Sequence, residues 1–291
     1  LFRLFSAQSG GSDKIAQGSY LVDTDMDYRA ILNSLGSGSS SRVEVSVTIQ
    51  EGLTVRQIFE LLEKEGVSTV EKLNDMAANH DYAFSFLEDI PLGDPNRLEG
   101  YLFPDTYDFY QDSDPETVIR KCLYNFELKT MEPTIEQEDD TEISVADLAQ
   151  QNGFTVDQLV TLASMVQAEG ANEDDMRVIA HIFRNRLDPN MNEGVSQLGS
   201  DPTVYYPYSS REEAPEGFES RYNTYEIVGL PPGAIDNPGM MAINAVLNPD
   251  TTESYLYFCH SADGTPYYAY TAEGHYENQV EAGLIDPNAE G

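Results

Sequence analysis

The stretch that most constrains the fold is residues 155–187, TVDQLVTLASMVQAEGANEDDMRVIAHIFRNRL. It reads as two helices with very little chain between them. Thr155 and Gln158 have the spacing of a capping box, which starts the first helix. Leu159, Leu162, Ala163 and Val166 then share one face, and Gly170 ends the run. Asn172 can cap the second helix, with Glu173, Asp174 and Asp175 solvated in its first turn, where the helix dipole favours anions. Met176, Ile179, Ala180, Phe183 and Leu187 form its core stripe, leaving His181 and Arg184 exposed. So short a connection forces an antiparallel hairpin with two apolar stripes on one core.

Glu169 stands at the corner of that hairpin. It lies seven residues beyond Leu162, which returns it to nearly the same helical direction, so it is on the buried stripe. Burial disfavours its charged form, and so does the negative end of the helix dipole. A carboxyl that keeps its proton near neutral pH can donate it to a leaving oxygen. The alternative on spacing alone is a buried ion pair with Arg177 or Arg186.

Elsewhere the chain alternates short strands, short helices and irregular loops, an α+β pattern. AQGSYLV is strand-like, YRAILNSL helical, and GSGSSS a linker. RVEVSVTI has period-two valines and predicts a strand; Thr54 with Gln57 caps a following helix, and the pattern repeats from Ser68. These elements carry no catalytic candidate. We divide the chain into an N-terminal region, 1–90, and a second region, 91–291. The second opens with the aromatic-rich RLEGYLFPDTYDFY and a helix over 115–130. EPTIEQEDDTEI is read as a charged loop, and a last helix is predicted over 239–247 with a strand over 254–260.

Composition removes several function classes. Among 291 residues, 51 acidic side chains against 16 basic ones give a formal net charge of -35, which repels nucleic acid and anionic membrane surfaces. Cys122 and Cys259 make neither a disulfide framework nor a zinc site, and two buried thiols are expected. DTDMDY begins like a calcium loop but has Tyr28 where the turn needs glycine, so it is read as an acidic turn. No metal or cofactor is expected. No run of about 18 apolar residues would span a membrane. The chain starts at Leu1, so a signal or anchor is expected upstream.

Downstream of the hairpin, GSDPTVYY, RYNTYEIVGLPPGAIDNPG and YLYF combine turn residues with tyrosines and asparagines, suited to gripping sugar rings or to packing tight turns. Taken in order with LASMVQAEG…RVIAHIFRNRL and LEGYLFPDTYDF, these motifs resemble the YceG-like endolytic murein transglycosylases (the MltG family) over roughly residues 43–285. IQEGLTVRQIFELL looks like that family's LysM-like module. The resemblance implies an α+β fold: a LysM-like N-terminal module, then a mixed α+β catalytic domain whose helical hairpin carries the catalytic acid/base, Glu169. Three positions depart from the family pattern: Gln167, Gly199 and Pro266 stand where a Glu, a Gln and a late His are common.

The resemblance further implies cleavage of the β-1,4 bond between N-acetylmuramic acid and N-acetylglucosamine within peptidoglycan strands, leaving a 1,6-anhydro end. Ser200, Asp201, Tyr222, Asn223 and Tyr225 are the candidates for holding sugars or supporting Glu169. It places the protein at the extracytoplasmic face of the cell membrane, held by the N-terminal anchor, with cell-wall synthesis proteins as implied partners. Two rival readings are a hydrolytic muramidase using Glu169 and Asp201, and a non-catalytic glycan-binding scaffold.

Overall fold

A computed structural model describes residues 28–36, 43–133, 135–136 and 142–287. The strand-like AQGSYLV, the linker GSGSSS, and Asp23 to Asp27 of the acidic turn lie outside the described residues. Helix α1 (Tyr28–Gly36) precedes strand β1 (Glu44–Thr48), which is followed by α2 (Val55–Lys64) and α3 (Val70–Asn79). The capping box at Thr54 forms as expected, with Gln57 returning a bond to the Thr54 backbone. The next helix is capped by Thr69 rather than starting from Ser68. Val55, Ile58, Phe59 and Leu62 of α2 are fully buried, each contributing about 1.5–3 kcal/mol by removal from water.

The partner of β1 is β2 (Thr106–Tyr110), antiparallel, with Val45 opposite Phe109 and Val47 opposite Tyr107. The two strands come from either side of residue 90. Between them the chain turns through Gly100, at φ 90°. A Cβ there would collide with Val160 and Ala234, so the segment lies directly against the helical hairpin. Helix α4 (Pro115–Thr130) covers the predicted range, and Val118, Ile119, Leu123 and Phe126 enter the core. The charged loop contains a short antiparallel ladder, β3 (Ile135–Glu136) with β4 (Glu142–Ile143). Helix α5 (Val145–Gln151), capped by Ser144, is an element the sequence reading missed.

The hairpin is α6 (Val156–Glu169) and α7 (Glu173–Leu187), with α8 (Met240–Leu247) packed against both. His181 and Arg184 are half-buried rather than exposed. Arg184 donates to Asn152 Oδ1 and the Val246 carbonyl, both at 3.3 Å, while its guanidinium lies over Phe154. A compact helical neighbourhood used its long stem as packing surface. The chain ends with a β-hairpin, β5 (Tyr257–His260) and β6 (Pro266–Ala269), and helix α9 (Ala272–Glu281); β6 and α9 were not anticipated. One continuous apolar core runs from Val47 and Phe59 through Phe126 to Leu162, Phe183 and Ile243. Among the described residues no helix is long and apolar enough to cross a membrane. Small antiparallel sheets with surrounding helices make the molecule α+β.

Candidate active site

The geometry begins with α6. Its capping box is present at Thr155 and Gln158, and the residues from Leu159 to Val166 are all buried. The helix stops because the Gly170 N–H closes the last bond, onto the Val166 carbonyl at 2.9 Å, and the backbone then extends. Glycine here is not needed for a left-handed turn, since φ is −78°. It is needed because a Cβ would collide with Met176. Glu169 is thereby left at the corner, half-buried.

Its Oε1 accepts a 2.6 Å bond from Ser200 Oγ, and the Asp201 backbone N–H also donates to the carboxyl. Burial pushes the Glu169 pKa up; the Ser200 bond pulls it down, the Asp201 charge raises it, and His260 and the Asp201 N–H lower it. Burial outweighs the donors, so the group holds its proton above the ordinary carboxylate range. The ion-pair alternative does not describe the molecule. Arg186 bonds the Leu256 and Leu198 carbonyls, and Arg177 Nε bonds the Asn248 carbonyl at 2.9 Å. Each guanidinium was drawn to unpaired carbonyls at loop ends instead.

Ser200 is fully buried, and two hydroxyls keep it in place. Its N–H donates to Thr224 Oγ1 at 2.8 Å, while Thr203 Oγ1 donates to its carbonyl at 2.6 Å and lies 2.9 Å from Thr224 Oγ1. This knot stitches the loop after α7 to the loop around Tyr225. Asp201 is exposed, and its Oδ1 accepts the Tyr225 hydroxyl at 2.6 Å. Glu169, Ser200, Asp201 and Tyr225 are therefore brought together.

Tyr222 and Asn223 are placed differently. Tyr222 packs on Tyr206 with centroids 4.5 Å apart, under the Arg221 guanidinium. Asn223 holds its own turn by accepting from the Tyr225 N–H at 3.1 Å. It also lines a cavity of about 370 Å³ with Tyr205, Arg211 and Phe218, which does not include Glu169 or Ser200.

Sequence reasoning missed three further groups. Asp175 is buried at 2% exposure, not solvated with Glu173 and Asp174. It accepts from His260 Nε2 at 2.8 Å, the Tyr268 hydroxyl at 2.6 Å and the Ala171 N–H at 2.8 Å. Its i+4 and i+7 spacing to Ile179 and Ile182 could have placed it on the buried side, but its partners come from an unanticipated hairpin. Thr224 carried no signal beyond its turn. Glu99 is buried under three donors: the Val55 N–H, Asn237 Nδ2 and the Tyr206 hydroxyl. Burial, the dominant cause, still pushes its pKa up to about 8. Cys122 and Cys259 are free and buried. Among the described residues no group of three or more His, Cys, Asp or Glu side chains could hold a metal ion.

A family model described as "YceG-like family" matches residues 1–281. The chain belongs to the YceG-like family. Relatives include the endolytic murein transglycosylase of Bacillus subtilis, 30% identical over 278 residues, covering 91% of this chain and 72% of the relative. The endolytic murein transglycosylase of Streptococcus pneumoniae D39 is 27% identical, covering 97% of this chain and 53% of the relative, so the chain spans about half the length of that protein. A crystal structure of a YceG-like protein from Listeria monocytogenes superposes with a TM-score of 0.62 at 24% identity, covering 95% of this chain and 88% of that one; it shows the shared fold.

Gln167, Gly199 and Pro266 each have a definite structural setting. Gln167 accepts the Gly239 N–H at 3.0 Å, at the start of α8. Gly199 adopts φ 56°, with Arg186 and Tyr225 against the space its side chain would occupy. Pro266 stands directly across the β5–β6 ladder from His260.

Proposed function

We propose that this YceG-like chain cleaves peptidoglycan glycan strands as an endolytic lytic transglycosylase, with Glu169 as general acid and then general base. The observation that carries the reading is the Glu169 carboxyl: at a helix end, half-buried, its pKa raised by that burial, and oriented by Ser200 at 2.6 Å. The relatives named for this activity support the substrate class.

Glu169 donates its proton to the glycosidic oxygen between N-acetylmuramic acid and N-acetylglucosamine, and the bond from muramic C1 to that oxygen breaks. The muramic C6 hydroxyl bonds to C1 and returns its proton to the Glu169 carboxylate, so the acid is restored without water. Because the nucleophile belongs to the substrate, its effective molarity is on the order of 10⁵ M or more in favourable cases. One carboxyl then suffices where ordinary glycosidases need two. Ser200 orients the acid, and Asp201 with Tyr225 forms the adjoining wall for a sugar. Tyr222 and Asn223 lie on the neighbouring loop, apart from Glu169, and in this reading would meet sugars beyond the cleaved bond. Within residues 1–90, β1, α2 and α3 make up the LysM-like module of this reading. Action on peptidoglycan places the protein outside the cytoplasmic membrane beside the cell-wall synthesis machinery.

Replacing Glu169 with Gln and analysing released muropeptides by mass spectrometry tests the proposal. The wild type is expected to yield 1,6-anhydro-muramic ends and the variant none, with fold and glycan binding retained. Reducing muramic ends would instead support hydrolysis through Asp201, whose Oδ1 is already engaged by Tyr225. Cleavage by the variant at the wild-type rate would exclude Glu169 as the acid, and absence of cleavage by the wild type as well would favour the scaffold reading.

A further inference from the structure

Asp175 belongs to the first turn of α7, yet its three donors come from three places. The Ala171 N–H lies in the corner after Glu169, His260 on β5 and Tyr268 on β6. It is 2% exposed and also closes the cap of its own helix, its N–H bonding Asn172 Oδ1 at 3.1 Å. A carboxylate that gathers an N–H, an imidazole and a phenol in the interior is a tether between elements, because each bond is strengthened where water is excluded. The corner it holds is the one that ends α6 and fixes where the Glu169 side chain departs.

We infer that Asp175 is a positioning residue for the proposed Glu169 chemistry: it ties the corner after Glu169 to the β5–β6 hairpin and, through its bond to Nε2, holds His260 in a fixed orientation. The inference rests on the transglycosylase reading of Glu169. With Nε2 committed to Asp175, the carboxylate fixes the orientation of the imidazole. The His260 charge acts on Glu169 and lowers its pKa. Other groups bear on the pair as well. Asp201 and Tyr225 face it from the loops and Arg186 from α7; Tyr268 faces it from β6, with Asp174 acting on that phenol.

The sign of the effect follows. Activity is lost as pH rises through the Glu169 pKa, because the acid step needs its proton. A cationic His260 lowers that pKa, so removing the charge moves the alkaline limb upward. His260→Gln keeps a donor for Asp175 and deletes the charge. Its limb is expected to rise, with KM within about twofold of wild type. Asp175→Asn loosens the tether: kcat is expected to fall about tenfold or more, the limb to move the same way, and the double variant to add no further limb shift, as coupled residues do.

The measurement is kcat and KM on glycan strands from pH 4 to 9 for wild type, both single variants, the double variant and Glu169→Gln. Thermal unfolding is recorded for each. If Asp175→Asn does not fold, the limb of His260→Gln decides alone: a rise supports the inference and an unmoved limb overturns it. Unmoved limbs in both folded single variants, with kcat tracking melting temperature only, overturn it while an inactive Glu169→Gln leaves the acid reading intact. An active Glu169→Gln overturns that reading itself.

Discussion

At the scale of single residues, the environment of Glu169 is a contest whose sides can be removed one at a time. Ser200 donates to the carboxyl and lowers its pKa, while the Asp201 charge raises it. Ser200→Ala should therefore move the alkaline limb of kcat upward, and Asp201→Asn should move it downward while keeping an acceptor for Tyr225. Ser200→Ala should also cost about tenfold in kcat, corresponding to one orienting hydrogen bond of about 1.4 kcal/mol. Parallel pH–rate profiles of the two variants check both signs; shifts in the same direction would refute this account of the site. Pro266 stands across the β5–β6 ladder from His260. That juxtaposition was invisible before β6 was seen.

At the scale of elements, two glycines hold helices at distances a side chain would forbid. Gly100 has φ 90°, and its missing Cβ leaves room for Val160 of α6 and Ala234. Gly100→Ala should destabilise the fold by about 2–4 kcal/mol, from left-handed strain plus overpacking, read from urea denaturation midpoints. Gly170 is extended, so strain is absent, but Met176 fills the space of a Cβ. Gly170→Ala should push α7 away from the corner and lower kcat more than stability; comparing kcat with the unfolding midpoint separates the two. The two capping boxes were readable because they are local, each needing only a hydroxyl and an amide three residues apart. Elements α5, β6 and α9 were not read, because short, weakly patterned segments take their structure from what they pack against.

At the scale of the whole molecule, the interior between the N-terminal elements and the hairpin is acidic. Glu99 bonds the start of α2, Asn237 and Tyr206 at once. Asp236 is also buried, and its Oδ1 has no hydrogen-bond partner. Burial, then the Glu99 charge, pushes the Asp236 pKa well up. For Glu99 the folded pKa of about 8 exceeds the unfolded carboxylate value, so the folded state binds the proton more tightly. Its contribution to stability is complete below about pH 4.5 and is lost as pH rises toward 8, at on the order of 1.4 kcal/mol per pH unit. Urea unfolding between pH 5 and 8.5 should show stability declining. Glu99→Gln should flatten that slope, and an unchanged slope would show that Glu99 is ionised throughout.

The sequence by itself determined the helical hairpin, its start at Thr155 and the placing of an acid at its corner. Those features follow from hydrogen bonds and apolar spacing within a few residues. It also marked the loops holding Ser200, Asp201 and Tyr225, since turn residues constrain their own backbone. Only the tertiary structure decided that Asp175 is buried against His260 and Tyr268, that Glu169 meets Ser200 rather than an arginine, and that Tyr206 reaches Glu99. Each of those outcomes depends on which distant donor arrives first at a buried acceptor. Chain separation of tens of residues carries no local signature of that choice.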